Sequence, residues 1–188
     1  MILTFTKNMI MKKTKTLVIH PEDPSSSFLD AVYKDTDWTI YNNNVVYNQG
    51  ELITLIEQHD RIIMMGHGTP DGLLGKFKYI VDYRHASLLK QKEVVCMWCN
   101  AHAFFCRFGL KGFFTGMIIS EESEAEYLNV DYKEGDVDES NVLFTKALTE
   151  SIQNTPKDMC DKMKEIYIPT EGNKVMEYNA KRLYYFDN

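Results

Sequence analysis

The chain has 188 residues, 44% of them apolar, with only 10 glycines and 5 prolines; this supplies one hydrophobic core and excludes collagen-like, low-complexity and wholly disordered chains. Twenty-one Lys and Arg against 27 Asp and Glu leave a formal net charge of -6, and without a basic block such a chain is not expected to bind nucleic acid. No apolar run approaches the roughly 20 residues of a membrane span, and the start mixes Lys and Thr into its apolar residues instead of building a secretory core, so a cytoplasmic protein with no membrane partner is expected.

Residues 1–15 read as an N-terminal extension ahead of one domain over 16–188, and Met11, followed by Lys12 and Lys13, is a candidate initiator. Residues 16–20 (TLVIH) form a short β-rich run closed by a Pro-Glu-Asp-Pro turn. Residues 25–33 (SSSFLDAVY) predict a helix capped by serine. A strand follows at 38–41, a turn at 42–44, and an amphipathic helix at 50–59 with Leu52, Ile53, Leu55 and Ile56 on one stripe. Residues 61–65 (RIIMM) and 94–98 (VVCMW) are continuous apolar strands, and 101–110 is helix-compatible. Residues 113–120 (FFTGMIIS) read as a further buried strand. A helix over 140–153 would turn Val142, Leu143, Phe144, Ala147, Leu148 and Ile152 inward. A second helix is expected at 156–166 with Pro156 in its first turn. The polar loop 131–140 reads as mobile, and the weakly alternating tail 175–186 as a last strand.

Continuous apolar strands separated by helices indicate an α/β fold of three layers, a mostly parallel central sheet with helices on both faces. Ligands of such sheets bind beyond the carboxyl ends of the strands. The two most apolar strands lead directly into His67, after Gly66, and Cys99. If those strands are neighbours, imidazole and thiol meet at one sheet edge. A thiol nucleophile needs a base beside it, which His67 supplies. Gly66 and Gly68 let the backbone turn sharply around it. The N–H groups of Gly68 and Cys99 are candidates to hold a developing oxyanion. A helix starting near Asn100 would lower the thiol pKa further. The competing readings are a loop histidine without chemistry and a buried core thiol.

Residues 62–75 (IIMMGHGTPDGLLG) and 94–127 resemble the two catalytic blocks of clan CD cysteine peptidases, the group of caspases, metacaspases, gingipains, separases and CHAT domains. The shared pattern is four apolar residues, His-Gly, then a second apolar strand, Cys and a small residue. The resemblance implies a caspase-like fold, a catalytic dyad of His67 and Cys99, a peptide or protein substrate and no cofactor. It also makes pairing of sheet edges into a homodimer a reasonable expectation. Around the nucleophile this chain has Met97-Trp98-Cys99-Asn100-Ala101 where caspases have Gln-Ala-Cys-Arg-Gly, so aspartate specificity is not implied. A degenerate, non-catalytic member binding a small molecule or a protein at the same crevice is the alternative.

The remaining residues are assigned more plainly. Cys96 lies within a strand and is expected in the core, as are Cys106 and Cys160 on helix faces. Cys96, Cys99, His102 and Cys106 are ligand types at close spacing, but no turn separates the first two, so no metal is expected. Asp71, Asp82 and Asp131 are candidate electrostatic helpers, with solvated loop carboxylates as the competing reading. Glu121 and Glu122 open the acidic run 121–126 (EESEAE) at the same rim. With Asp71 they could draw a basic substrate side chain, or simply decorate a helix N-terminus. The aromatic block of Trp98, Phe104, Phe105, Phe108, Phe113 and Phe114 fits core packing, an interface or a hydrophobic pocket.

Overall fold

The computed structural model describes residues 14–43 and 48–187. The expected extension therefore lies outside the described residues except for Thr14 and Lys15, and so does Asn44 of the expected turn. The chain begins with β1 (Thr16–Ile19), every residue of which is buried. Where a serine-capped α-helix is expected, the chain forms a 3-10 helix over Pro24–Val32, and its cap is Asp23. The Asp23 carboxylate accepts the Ser25 N–H at 3.0 Å. Pro24 suits the first turn because it has no N–H to satisfy. The hydroxyl of Ser27 donates back to Pro24 C=O at 2.8 Å, the kind of local competition that keeps serine-rich segments from regular α-helix.

The path continues through β2 (Thr39–Tyr41), α1 (Gln49–Gln58) and β3 (Arg61–Met65). Asn48 caps α1 by accepting the Glu51 N–H at 3.2 Å, and Leu52 and Ile56 are its buried stripe. A small antiparallel sheet that the sequence pattern does not announce follows: β4 (Gly68–Thr69), β5 (Gly72–Leu74) and β6 (Tyr79–Val81). After a 3-10 turn at Tyr83–His85 come α2 (Ala86–Leu89), β7 (Glu93–Met97), α3 (Ala101–Phe108) and β8 (Gly112–Thr115). The remainder is α4 (Glu122–Tyr127), α5 (Asp136–Ser151), α6 (Pro156–Ile166), α7 (Lys174–Ala180) and β9 (Leu183–Phe186).

Six strands form the main sheet in the order β2-β1-β3-β7-β8-β9, parallel except for β9. Side-chain alternation along the strands builds two cores. Leu17, Ile62, Met64, Val94, Cys96 and Phe114 pack with α1 and α3 through Leu52, Ile56, Phe104 and Phe105. Val18, Ile63, Met65, Val95 and Phe113 pack with α5, α6 and α7 through Phe144, Leu148, Met159, Met163 and Met176. Helices thus cover both faces, as parallel sheets require. Among the described residues, no helix is long and apolar enough to cross a membrane.

Several expectations need correction. Val142 is 71% exposed rather than inward-facing, because α5 starts at Asp136 and its buried stripe runs through Val137, Ser140, Phe144, Ala147 and Leu148. The polar loop therefore ends at Gly135, and Asp136, Asp138 and Glu139 lie in the first turn of a helix. Cys106 is exposed on α3, while Cys160 is buried as expected. Half of the tail is α7, capped by Asn173 accepting the Met176 N–H at 2.9 Å; only Leu183–Phe186 is a strand.

The strand expected at 113–120 stops at Thr115. Residues 116–120 run on as irregular backbone, held by two asparagines. Buried Asn179 accepts the Ile119 N–H at 2.8 Å and donates to Ile119 C=O at 2.9 Å, which satisfies the polar groups a buried loop would otherwise orphan. Asn141 donates to Ser120 C=O at 2.9 Å. Replacing Asn179 with Ala should cost about 2–5 kcal/mol in urea unfolding, since two buried backbone groups lose their partner; a change below about 1 kcal/mol would contradict this anchoring role.

Candidate active site

Strands β3 and β7 are direct neighbours, paired in register from Arg61↔Glu93 to Met65↔Met97. The Gly66 N–H adds one more rung by donating to Met97 C=O at 3.1 Å. His67 and Cys99 each follow a paired methionine by two residues, so both leave the sheet at the same level. Gly66 has φ +124°, a value that L side chains rarely adopt, and this turns the chain toward His67. On the other strand Asn100 has φ 65° and starts α3.

Both side chains border one cavity of about 50 Å³. Its wall is apolar at Phe28, Leu29, Ile118 and Phe144 and polar at Asn141 and Ser120. No carboxylate, lysine or arginine lines it among the described residues. Asp71 lies instead in the tight turn between β4 and β5, 2.6 Å from Arg107 Nη1. Glu121 and Glu122 are exposed at the start of α4. None of these three reaches the cavity, because a helix N-terminus and a hairpin turn hold them on the outer rim.

The acidic residue of that stretch that does reach the site is Glu124. One of its oxygens accepts from Ser120 N–H at 2.7 Å, Ser120 Oγ at 3.0 Å and Glu121 N–H at 3.2 Å. The other lies 3.8 Å from Cys99 Sγ, and the thiol also donates toward Ile118 C=O at 3.7 Å. The thiol therefore faces acceptors. Burial, reinforced by the Glu124 charge, pushes its pKa up to about 11. This reverses the expected lowering by α3: a helix terminus contributes about 0.3–1 kcal/mol, less than the opposing burial and carboxylate.

His67 is half-buried and its Nε2 lies 2.6 Å from Ser25 Oγ. Ser25 Oγ in turn donates to Asp23 Oδ1 at 2.6 Å. The carboxylate is 3.7 Å from the ring nitrogen, and its two hydrogen bonds from Ser25 hold its pKa below the usual carboxylate range. Asp23 and Ser25 escape a reading of the sequence because they look like turn and cap residues. Their only signal is position: they follow β1, the strand beside β3, and so lie at the same sheet edge.

Gly68 belongs to β4 and faces Leu73 in the hairpin. Leu74 N–H donates to His67 C=O at 2.8 Å, which makes Gly68↔Leu73 a non-hydrogen-bonded pair and turns the Gly68 N–H away from β5. A Cβ at Gly68 would come within 2.2 Å of Trp98 Cδ1 and 2.8 Å of Gly72 O. Trp98, 2% exposed, locks this approach by donating Nε1–H to Thr69 C=O at 3.1 Å. Of the aromatic block, Trp98, Phe104, Phe105, Phe113 and Phe114 are buried and serve packing.

Cys96 is fully buried and His102 and Cys106 are exposed. Among the described residues, no three His, Cys, Asp or Glu side chains form a group that could hold a metal ion. Asp82 is engaged by Arg84, whose Nη2 lies 2.6 Å away, and Asp131 is an exposed loop residue. Comparison of the chain with family models, curated proteins and solved structures found no match.

Three outcomes are expected. Iodoacetamide alkylation of Cys99, followed by peptide mass spectrometry, should rise with pH toward a midpoint near 11. Glu124→Gln should move that midpoint lower, since a negative charge beside the thiolate is removed; an unchanged midpoint would remove Glu124 from the thiol's environment. Gly68→Ala should destabilise the fold by about 1–3 kcal/mol through overpacking on Trp98. An unfolding midpoint equal to wild type would show that the hairpin yields instead.

Proposed function

We propose that this chain is a cysteine endopeptidase of caspase-like type that works in the cytoplasm on a peptide or protein substrate, with His67 and Cys99 as its dyad. The single observation carrying this reading is that in-register strands β3 and β7 deliver an imidazole and a thiol to the same cavity. In the reaction His67 takes the proton from Cys99 Sγ, and the sulfur attacks the substrate carbonyl carbon. The Gly68 and Cys99 N–H groups receive the oxyanion. The C–N bond then breaks as the imidazolium returns its proton to the leaving amine. Water, giving a proton to His67, then attacks the thioester carbonyl; the C–S bond breaks, the carboxylic acid product leaves, and the imidazolium returns its proton to the Cys99 thiolate. This sequence uses no cofactor. The narrow, largely apolar cavity suits a small side chain beside the scissile bond. Pairing of sheet edges between two copies is the expected form of a homodimer.

A second reading, a non-catalytic caspase-like module that binds a small molecule or protein partner there, is favoured by one observation. The Cys99 thiol lies against the Glu124 carboxylate and is held protonated. Labelling with a peptidyl electrophile separates the two readings. The dyad reading expects an adduct on Cys99, lost in Cys99→Ala and slowed by roughly 10³-fold or more in His67→Ala. Equal labelling of Cys99→Ala would overturn it. Absence of any adduct across small, acidic and basic peptide sequences would favour the binding module.

A further inference from the structure

We propose that Ser25 and Asp23 form a hydroxyl-bridged relay that fixes His67 with its proton on Nε2, leaving Nδ1 as the ring's basic nitrogen. The proposal rests on the reading of His67 as the base for Cys99, and it concerns positioning residues rather than the reacting atoms.

The hydrogen-bond arithmetic carries it. Asp23 is ionised, held so by the Ser25 hydroxyl and N–H. An ionised carboxylate only accepts. The single hydroxyl hydrogen of Ser25 is therefore committed to Asp23 Oδ1 at 2.6 Å. What Ser25 Oγ offers His67 Nε2, also at 2.6 Å, is a lone pair. Nε2 must then be the donor, so the neutral ring carries its hydrogen there. When the thiol proton moves to Nδ1, the ring becomes an imidazolium with a carboxylate 3.7 Å from Nε2. Ser25 passes that charge's influence on without itself gaining or losing a proton.

The surrounding structure keeps this arrangement in place. Asp23 caps the 3-10 helix, so its carboxylate is fixed by backbone geometry. The neighbouring Ser26 is engaged with a different imidazole, with its Oγ 3.0 Å from buried His20 Nε2. His20 Nδ1 is in turn 2.9 Å from Tyr33 OH. The adjacent serines are thus divided between two histidines, and only Ser25 serves the one that borders the cavity with Cys99.

The test combines a spectroscopic and a kinetic readout on the full chain. In protein with ¹⁵N-labelled histidine, assigned with a His67→Gln variant, wild type should give a pyridine-type shift at Nδ1 and a pyrrole-type shift at Nε2. Ser25→Ala should average the two as the tautomers mix. With a peptide substrate, Ser25→Ala and Asp23→Asn should lower kcat by about 10²-fold with KM within about twofold, and Ser25→Thr should recover most of the loss. A wild-type ring protonated on Nδ1, or a Ser25→Ala variant with unchanged tautomer and kcat, would overturn the relay. So would an acyl adduct mapped to Ser25, because its hydroxyl would then be a reacting group. The tautomer readout needs no turnover, so a failed relay and a failed dyad give different results: the first leaves Cys99 labelling intact, the second removes it.

Discussion

The in-register parallel pairing of β3 with β7 is the constraint on which the site depends. Those strands carry no side chain in common, yet a slip of one residue between them would turn one set of apolar residues to the wrong face. Two cores oppose such a slip. Ile62, Met64, Val94 and Cys96 are committed to one helical layer, and Ile63, Met65 and Val95 to the other. At the amino end the pair Arg61 and Glu93, 2.9 Å apart, closes the same register. At the carboxyl end the register sets His67 level with Cys99. The site is thus a consequence of core packing some distance below it.

Two electrostatic settings meet at that level. On the β1 side, a helix-capping carboxylate and a serine hydroxyl gather around His67 Nε2. On the β8 side, a carbonyl and a carboxylate gather around Cys99 and favour the neutral thiol. The surroundings of Cys99 resist loss of the thiol proton. The resistance has a definite structural owner, since the Glu124 carboxylate is held by three donors from Ser120 and Glu121.

The small sheet after His67 does a separate job. Its first strand presses Gly68 against the Trp98 ring, closer than any side chain at that position would permit. The indole N–H ties back to Thr69. The loop after β3 is therefore rigidly joined to the residue before Cys99, and the two halves of the site cannot drift apart without unpacking a buried tryptophan.

Much of this was legible in the residues. Hydrophobic period and continuous apolar runs located β3, β7, α1 and α6, and the parallel, doubly covered sheet followed from them, because strands buried on both faces read as continuous apolar runs and helices alternate with them here. The same runs pointed to His67 and Cys99 as strand-end residues. The three short strands after His67 were not legible, since two- and three-residue strands carry no period. Nor was α7, whose cap at Asn173 outweighs a weak alternation. Asp23 and Ser25 stayed hidden for a different reason, as did the choice of Glu124 from within the acidic run 121–126. They lie on segments distant in sequence from both the histidine and the thiol, and only the packing order β1-β3-β7-β8 brings those segments to one rim. Local pattern by itself determined which strands are interior and what chemistry ends them; the tertiary structure alone decided the charges around that chemistry, because electrostatic environment is set by neighbours in space.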